Sequence, residues 1–418
     1  MDSSITAIII LAVTLLLYIT ELIPLSVTSL LSCMAMGIFG CCSFNSVFSG
    51  FSNDVTIMVL GMCIVGDTFF QTGAAAYFGN KLIRLFGGNQ KRFMIACIIL
   101  AGVISAFFSN SATVAMMLPI AEAAVVASNG KLRKKDLFMP IGFAAIAGGG
   151  ITLIGSTPQV IAQGILTQNG IEGAGFFEYA ITGIPKLLIL LLYFLFIGRK
   201  WLAKLPEEEV DEAKQVQADQ RFTGKMLIAL IIMILCILGF VTQTFSYSII
   251  AMLGASACIV FRCVKAKDAF KSVDWNTIIL LASALSMAAC LNESGAGELI
   301  VDTIVRVAGT ELNHYLILAV IAVLASLMAN TISTSATTTI LVPISIYLAN
   351  RVGMNPRSLA IAVAVFANIV YITPTSSPPN AMTLTAGYRF TNYVKVGGLL
   401  NIISVIVTLL IFPFFHPL

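Results

Sequence analysis

Ser109-Asn110-Ser111-Ala112-Thr113 stands ten residues before Pro119, and Ser333-Thr334-Ser335-Ala336-Thr337 stands ten residues before Pro343. Each run of small hydroxyl and amide side chains interrupts a long apolar stretch, near 92–126 in one case and 314–347 in the other. Outward from these tips, two further pairs keep nearly the same offset: Gln71-Thr72-Gly73-Ala74 with Glu293-Ser294-Gly295-Ala296, and Thr157-Pro158-Gln159 with Pro378-Pro379-Asn380. Matches recurring in one order indicate an internal repeat spanning half the chain.

The solvent for most of that repeat is lipid. Of 418 residues, 58% are hydrophobic and 11% charged, against about 25% charged in soluble domains. Apolar runs long enough to cross a hydrocarbon core fall near 5–20, 22–41, 54–72, the 92–126 hairpin, 136–168 and 178–198. The same order returns near 225–241, 246–263, 274–294, the 314–347 hairpin, 356–386 and 392–414. Between the halves, 199–225 is the longest polar stretch and reads as a linker.

The expected architecture is therefore an all-α integral membrane protein, with about ten transmembrane helices in two inverted five-helix repeats. Each repeat carries a re-entrant hairpin and a broken helix. The boundaries are 1–205 for the first repeat, 206–223 for a cytoplasmic linker and 224–418 for the second. Five spans per half, an odd number, invert the second half. With both termini outside, the predicted cytoplasmic loops hold twenty of the 24 Lys and Arg residues, the bias that sets orientation in a bilayer. Lys186, Arg306, Arg351 and Arg357 remain for the outside loops. No basic residue precedes the first apolar run, so it reads as a retained span of a multi-pass protein of the cell (inner) membrane.

The nine cysteines form no Cys-x-x-Cys or Cys/His cluster, which argues against a metal centre or a disulfide framework. The net charge of +4 is accounted for by membrane orientation and gives no support for a nucleic-acid partner. No Gly-x-x-x-x-Gly-Lys-Ser/Thr loop is present for ATP-driven transport.

Non-helical backbone at membrane depth survives where it lines a cavity, so the tips are candidate binding elements. Helix N-termini offer free N–H groups to a carboxylate, while unwound carbonyls and hydroxyls suit sodium. Each half adds a second interruption: Gly148-Gly149-Gly150 through Gly155-Ser156-Thr157-Pro158-Gln159, and Thr373-Pro374-Thr375-Ser376-Ser377-Pro378-Pro379-Asn380. For an isolated membrane serine, bonding back to the preceding turn is the plainer explanation. Four interruptions at matching places favour a site.

The sequence resembles the divalent anion/sodium symporter family of the ion transporter superfamily, carriers of succinate, citrate and related dicarboxylates. The resemblance rests on Thr20-Glu21-Leu22-Ile23-Pro24-Leu25-Ser26-Val27-Thr28, the tip at Ser109 and the Pro-Pro-Asn element at Pro378. It implies a first sodium site of Ser105, Ser109, Asn110 and Gly155, and a second of Ala329, Ile332, Thr334 and Ser376. It also implies substrate contacts by Asn110, Ser111, Thr334, Ser335 and Pro378, and a homodimer. The family has asparagine where Thr334 stands; Asn330 is the nearby amide that would compensate.

The function expected is sodium-coupled secondary transport of small divalent anions, dicarboxylates foremost, by alternating access. The alternatives are a cation/proton antiporter or oxyanion efflux carrier of the same superfamily, which would centre on intramembrane Asp67, and an intramembrane enzyme, for which no His or Lys lies near the tips in sequence. Glu21, Glu122 and Glu293 are the other charges at membrane depth, read as interfacial or secondary to the tips. His314 and His416 read as solvated.

Overall fold

The computed structural model describes residues 2–20, 22–74, 77, 81, 85–86, 89–128, 131–205, 222–308 and 313–418. Most of the 206–223 linker, and Glu21, lie outside them. Every regular element among the described residues is a helix. The first half contains α1 (Ser3–Thr20), α2 (Leu25–Ile38), α3 (Asp54–Gln71), α4 (Gln90–Ser105), α5 (Asn110–Ala127), α6 (Phe138–Gly149), α7 (Thr157–Gln168) and α8 (Ala180–Leu202). The second contains α9 (Gly224–Thr242), α10 (Tyr247–Val260), α11 (Trp275–Ser294), α12 (Ala296–Ala308), α13 (His314–Thr331), α14 (Thr334–Val352), α15 (Pro356–Ala367), α16 (Pro378–Thr383) and α17 (Phe390–Phe415).

Among the described residues, eight helices are long and apolar enough to cross a membrane: α1, α3, α5, α8, α9, α11, α13 and α17. The other apolar segments are shorter. α2 and α10 have 14 residues, and α6, α7 and α15 have 12 each. The reason is local: Gly148-Gly149-Gly150 and Pro158 divide one segment, and Pro374, Pro378 and Pro379 divide the other, because proline removes a ladder donor and clashes with the preceding turn.

The broken helices form the interior. All residues of α6 are buried, as are Ser358 through Ala367 of α15. α7 packs on α14 and α15 of the other half, while α16 packs on α5 and α6. The outer helices instead turn Leu235, Leu316, Leu327 and Leu410 outward, toward the lipid that is the apolar phase for such a chain. Polar side chains join interior helices to one another: Thr14 with Ser32 at 2.6 Å and Tyr18 with Ser29 at 2.6 Å link α1 to α2.

Side-chain amides replace the backbone partners lost at the breaks. Asn368 Oδ1 accepts from Ser156 Oγ at 2.8 Å and its Nδ2 donates to the Ile146 carbonyl at 3.2 Å. Asn380 Nδ2 donates to the carbonyls of Val370 (2.9 Å) and Thr373 (3.1 Å). Unpaired backbone polar groups in a dry interior cost free energy comparable to a lost hydrogen bond, so these amides hold the unwound segments in one shape.

His416 corrects the reading of a solvated histidine: it is buried, stacked on Phe412 at 4.5 Å, with Nδ1 3.5 Å from Glu178. Arg357 donates to the same carboxylate at 2.6 Å, and Ser358 Oγ donates to the Pro417 carbonyl at 2.7 Å, so the chain end is docked. Burial holds the His416 imidazole below its ordinary range, with Glu178 opposing. The unfolded chain therefore takes the proton first as pH falls; the stability is complete above the unfolded value and lost as pH falls through the folded one. His416→Phe, which keeps the stack, is expected to flatten the decline of the melting midpoint below about pH 6.5. Parallel wild-type and variant curves would refute this.

Candidate functional site

Four helix N-termini meet at one cavity of about 550 Å³, a volume in the range of small-molecule sites. Its wall includes Ser109, Asn110 and Ser111 at the start of α5, Ser156, Thr157 and Pro158 at α7, Ser333, Thr334 and Ser335 at α14, and Ser377, Pro378 and Pro379 at α16. The N-cap serines 109 and 333 accept from the amides of Ala112 and Ala336. Ser156 and Ser377 make no such cap; since Pro158, Pro378 and Pro379 carry no N–H, the uncapped first-turn donors are Thr157 N and Gln159 N of α7 and Asn380 N of α16. Aligned N–H groups at a helix start favour negative charge.

Behind the first tip lies an oxygen-lined cradle. With the Asn110 amide oriented to satisfy both its atoms, its nitrogen donates to Ser105 Oγ at 2.7 Å and to the carbonyls of Ala145 (3.0 Å) and Gly155 (3.1 Å). The residues expected at the first sodium site are thus together: Ser105 buried beneath, Asn110 across, Gly155 from the break, and Ser109 at the cavity surface. A side chain at Gly155 would place its Cβ 2.6 Å from the Gly149 carbonyl and 2.8 Å from that of Ser105. Only glycine lets the three backbones approach so closely.

The second tip is built differently. Thr334, Ser335, Ser376 and Pro378 line the cavity. Ala329 and Ile332 are buried at the end of α13, outside the cavity wall. Ser376 Oγ donates to the Thr373 carbonyl at 3.0 Å. Asn330 is not free to take the missing asparagine's place. Its Nδ2 donates to the carbonyls of Ser326 (2.8 Å) and Ile369 (2.9 Å), and its Oδ1 accepts from Ile372 N at 3.0 Å.

The citrate transporter family profile matches residues 15–345 and, in a second alignment, 237–416. The chain belongs to the citrate transporter family. Relatives of this citrate transporter family member include proteins named sodium-dependent dicarboxylate transporter SdcS. That of Staphylococcus saprophyticus is 26% identical, with 96% of this chain and 84% of the relative covered. That of Staphylococcus aureus is 25% identical, with the same coverage. An uncharacterised transporter of Methanocaldococcus jannaschii is 27% identical, with 93% and 88% covered. Among solved structures, the Alcanivorax borkumensis YdaH transporter superposes with a TM-score of 0.65 at 14% identity, covering 89% of this chain and 87% of that one. Neisseria gonorrhoeae MtrF, titled as one of a class of antimetabolite efflux pumps, gives 0.61 at 12% identity over 99% and 94%. Family and relatives are transporters, and the protein is a multi-pass membrane transporter rather than an enzyme.

Asp67, Glu122 and Glu293 of this citrate transporter family member stand apart from the cavity. Asp67, half-buried near the end of α3, accepts from Gln71, and Glu122 pairs with Lys134 at 2.7 Å. Glu293 accepts from Ser43 N at 2.9 Å and Ser46 Oγ at 2.6 Å, tying α11 to the segment after α2. Sequence reasoning passed over Asn368, Asp274, Asn276 and Thr277 in the cavity wall. Asp274 carries the signal of a helix start, an acid followed three residues later by its partner: Thr277 N donates at 3.2 Å and Thr277 Oγ1 at 2.6 Å. Asn368 had only the weaker signal of a lone amide within an apolar run.

Lys186 is the largest departure from expectation. Assigned to an outside loop, it is instead fully buried within α8, with its Nζ 3.5 Å from the Val365 carbonyl. A lysine therefore does lie behind the cavity wall. Its hydrogen bond goes to a carbonyl and not to a serine hydroxyl, so no Ser–Lys nucleophile is assembled.

Proposed function

We propose that this transporter moves small dicarboxylates together with sodium by alternating access. The observation that carries this reading is the meeting of four helix N-termini at one cavity beside an oxygen-lined cradle, a pairing that suits a carboxylate and a hard cation in one compartment. The printed names of the SdcS relatives point the same way.

In this reading Ser105, Ser109, Asn110 and Gly155 hold the first sodium ion. The Asn110 amide turns over so that Oδ1, which in that orientation accepts from Ser105 Oγ at 2.7 Å, meets the ion, and Asn110 and Ser111 touch one substrate carboxylate. Thr334, Ser335 and Pro378 face the other end of the substrate, and Ala329, Ile332, Thr334 and Ser376 form the second ion site. The unit formed by the two hairpins and broken helices moves against the rest, within a homodimer, with 1–205 and 224–418 as inverted repeats. A membrane potential contributes roughly 2.3 kcal/mol per net charge per 100 mV. Inward movement of a dianion gains from that potential when more than two sodium ions accompany it.

Uptake of labelled succinate into proteoliposomes, with sodium or choline outside, tests the reading. Sodium-dependent accumulation is expected; uptake indifferent to sodium refutes the coupling. In the same assay Thr334→Ala is expected to cost about tenfold or less in apparent affinity, since it removes one hydroxyl worth roughly 0.5–1.5 kcal/mol. A total loss would mean that Thr334 carries more of the site than its hydroxyl accounts for.

A further inference from the structure

Lys186 places a buried amine beside the cavity wall. Gly183, one turn earlier in α8, lies so close to the α6 break that a Cβ there would stand 2.3 Å from the Gly150 carbonyl. The Lys186 side chain then runs between the C-terminal ends of two broken helices, α6 at Gly150 and α15 at Val365. A Cβ on Gly150 would be 3.1 Å from Lys186 Nζ and 2.9 Å from Asn368 Nδ2. The amine and the cavity-lining amide thus border a single point. Asn368 in turn holds Ser156, also in the cavity wall, at 2.8 Å.

Helix C-termini attract a cation, yet desolvating an ammonium costs several kcal/mol, and breaking even with a buried charge needs excellent partners. Lys186 has a single hydrogen bond at 3.5 Å, and no carboxylate lies within ion-pair distance among the described residues. A methionine would fill the same volume without that cost. Among the described residues the cavity wall carries one charged side chain, Asp274, which opposes an anion. A proton taken up by the amine behind Ser156 and Asn368 when an anion enters offsets that field, and in a low-dielectric interior its reach extends through one layer of side chains.

We propose that Lys186 is a specificity-determining positioning residue, whose amine, carrying a proton when an anion occupies the cavity, makes the cavity favour a doubly charged over a singly charged carboxylate. This rests on the anion-transport reading above.

The test uses the full-length protein in nanodiscs, with succinate and its half-amide succinamate, which keeps the carbon skeleton and loses one charge. Affinities and melting midpoints are compared for wild type, Lys186→Met and Lys186→Arg. Wild type is expected to prefer succinate. Lys186→Met is expected to lose at least about tenfold in succinate affinity and less than about threefold for succinamate, with an unchanged or higher midpoint, as replacing a desolvated amine by an apolar side chain of similar volume implies. Lys186→Arg is expected to keep more of the preference than Lys186→Met. A Met variant with wild-type discrimination overturns the proposal. So does one that weakens both ligands equally, melts lower or fails to fold, each of which assigns Lys186 to packing. A wild type that binds neither compound overturns the transport reading itself, a result distinct from wild-type binding that Lys186→Met leaves untouched.

Discussion

Asn110→Ala is expected to lower sodium-driven succinate uptake by about a hundredfold or more, equivalent to roughly 2.7 kcal/mol. The Asn110 amide nitrogen serves Ser105 Oγ and the carbonyls of Ala145 and Gly155 together. Truncation strands buried acceptors that cost about 1–3 kcal/mol each when unsatisfied, and it removes an amide from the cavity wall. Two measurements check this: initial uptake rates, and the rise in melting midpoint when sodium is added, which reports ion binding by mass action. Uptake within a few fold of wild type, with the sodium shift retained, would remove Asn110 from both roles.

Gly155→Ala is expected to abolish the sodium-induced rise in midpoint and to lower stability by about 1–3 kcal/mol, the usual cost of overpacking. The added Cβ would meet the carbonyls of Gly149 and Ser105 and the Gly149 Cα at 2.6–2.9 Å. All three are backbone, so no flexible side chain can give way. A methyl group there occupies the cradle and pushes the break off the hairpin tip. The contrast with Gly170 and Gly353 is instructive: nothing lies within 4 Å of a Cβ at either, but both have positive φ. Alanine there strains a surface turn without touching the cavity. A Gly155→Ala protein that still responds to sodium would show that the ion binds elsewhere.

The tips and breaks were legible because they are exceptions to a strong rule. In an apolar run, Ser109-Asn110-Ser111 or Thr373-Pro374-Thr375-Ser376 has no reason to persist unless the fold satisfies it, so polarity out of place marks the site. Repetition raised the signal, since each unusual run had a partner at nearly the same offset. Asn330 shows the limit of such reading: its sequence position suggested a substitute ligand, whereas its amide is consumed in holding the unwound 369–372 backbone. His416 and Lys186 fail for a related reason. Nearness to the chain terminus or to a predicted loop stands in for solvent access only while the neighbours are unknown.

By itself the sequence determined the solvent, the helical class and the placing of the hydroxyl- and amide-rich interruptions, because these follow from hydropathy, from proline and glycine chemistry and from side-chain functional groups. Only the tertiary structure decided which interruptions share one cavity, that Asn368 and Asp274 join its wall, and that a lysine stands behind it. Those facts depend on packing between segments more than a hundred residues apart, as with Ser156 and Asn368 or Lys186 and Val365. Distance along the chain carries no information about distance in space once helices cross.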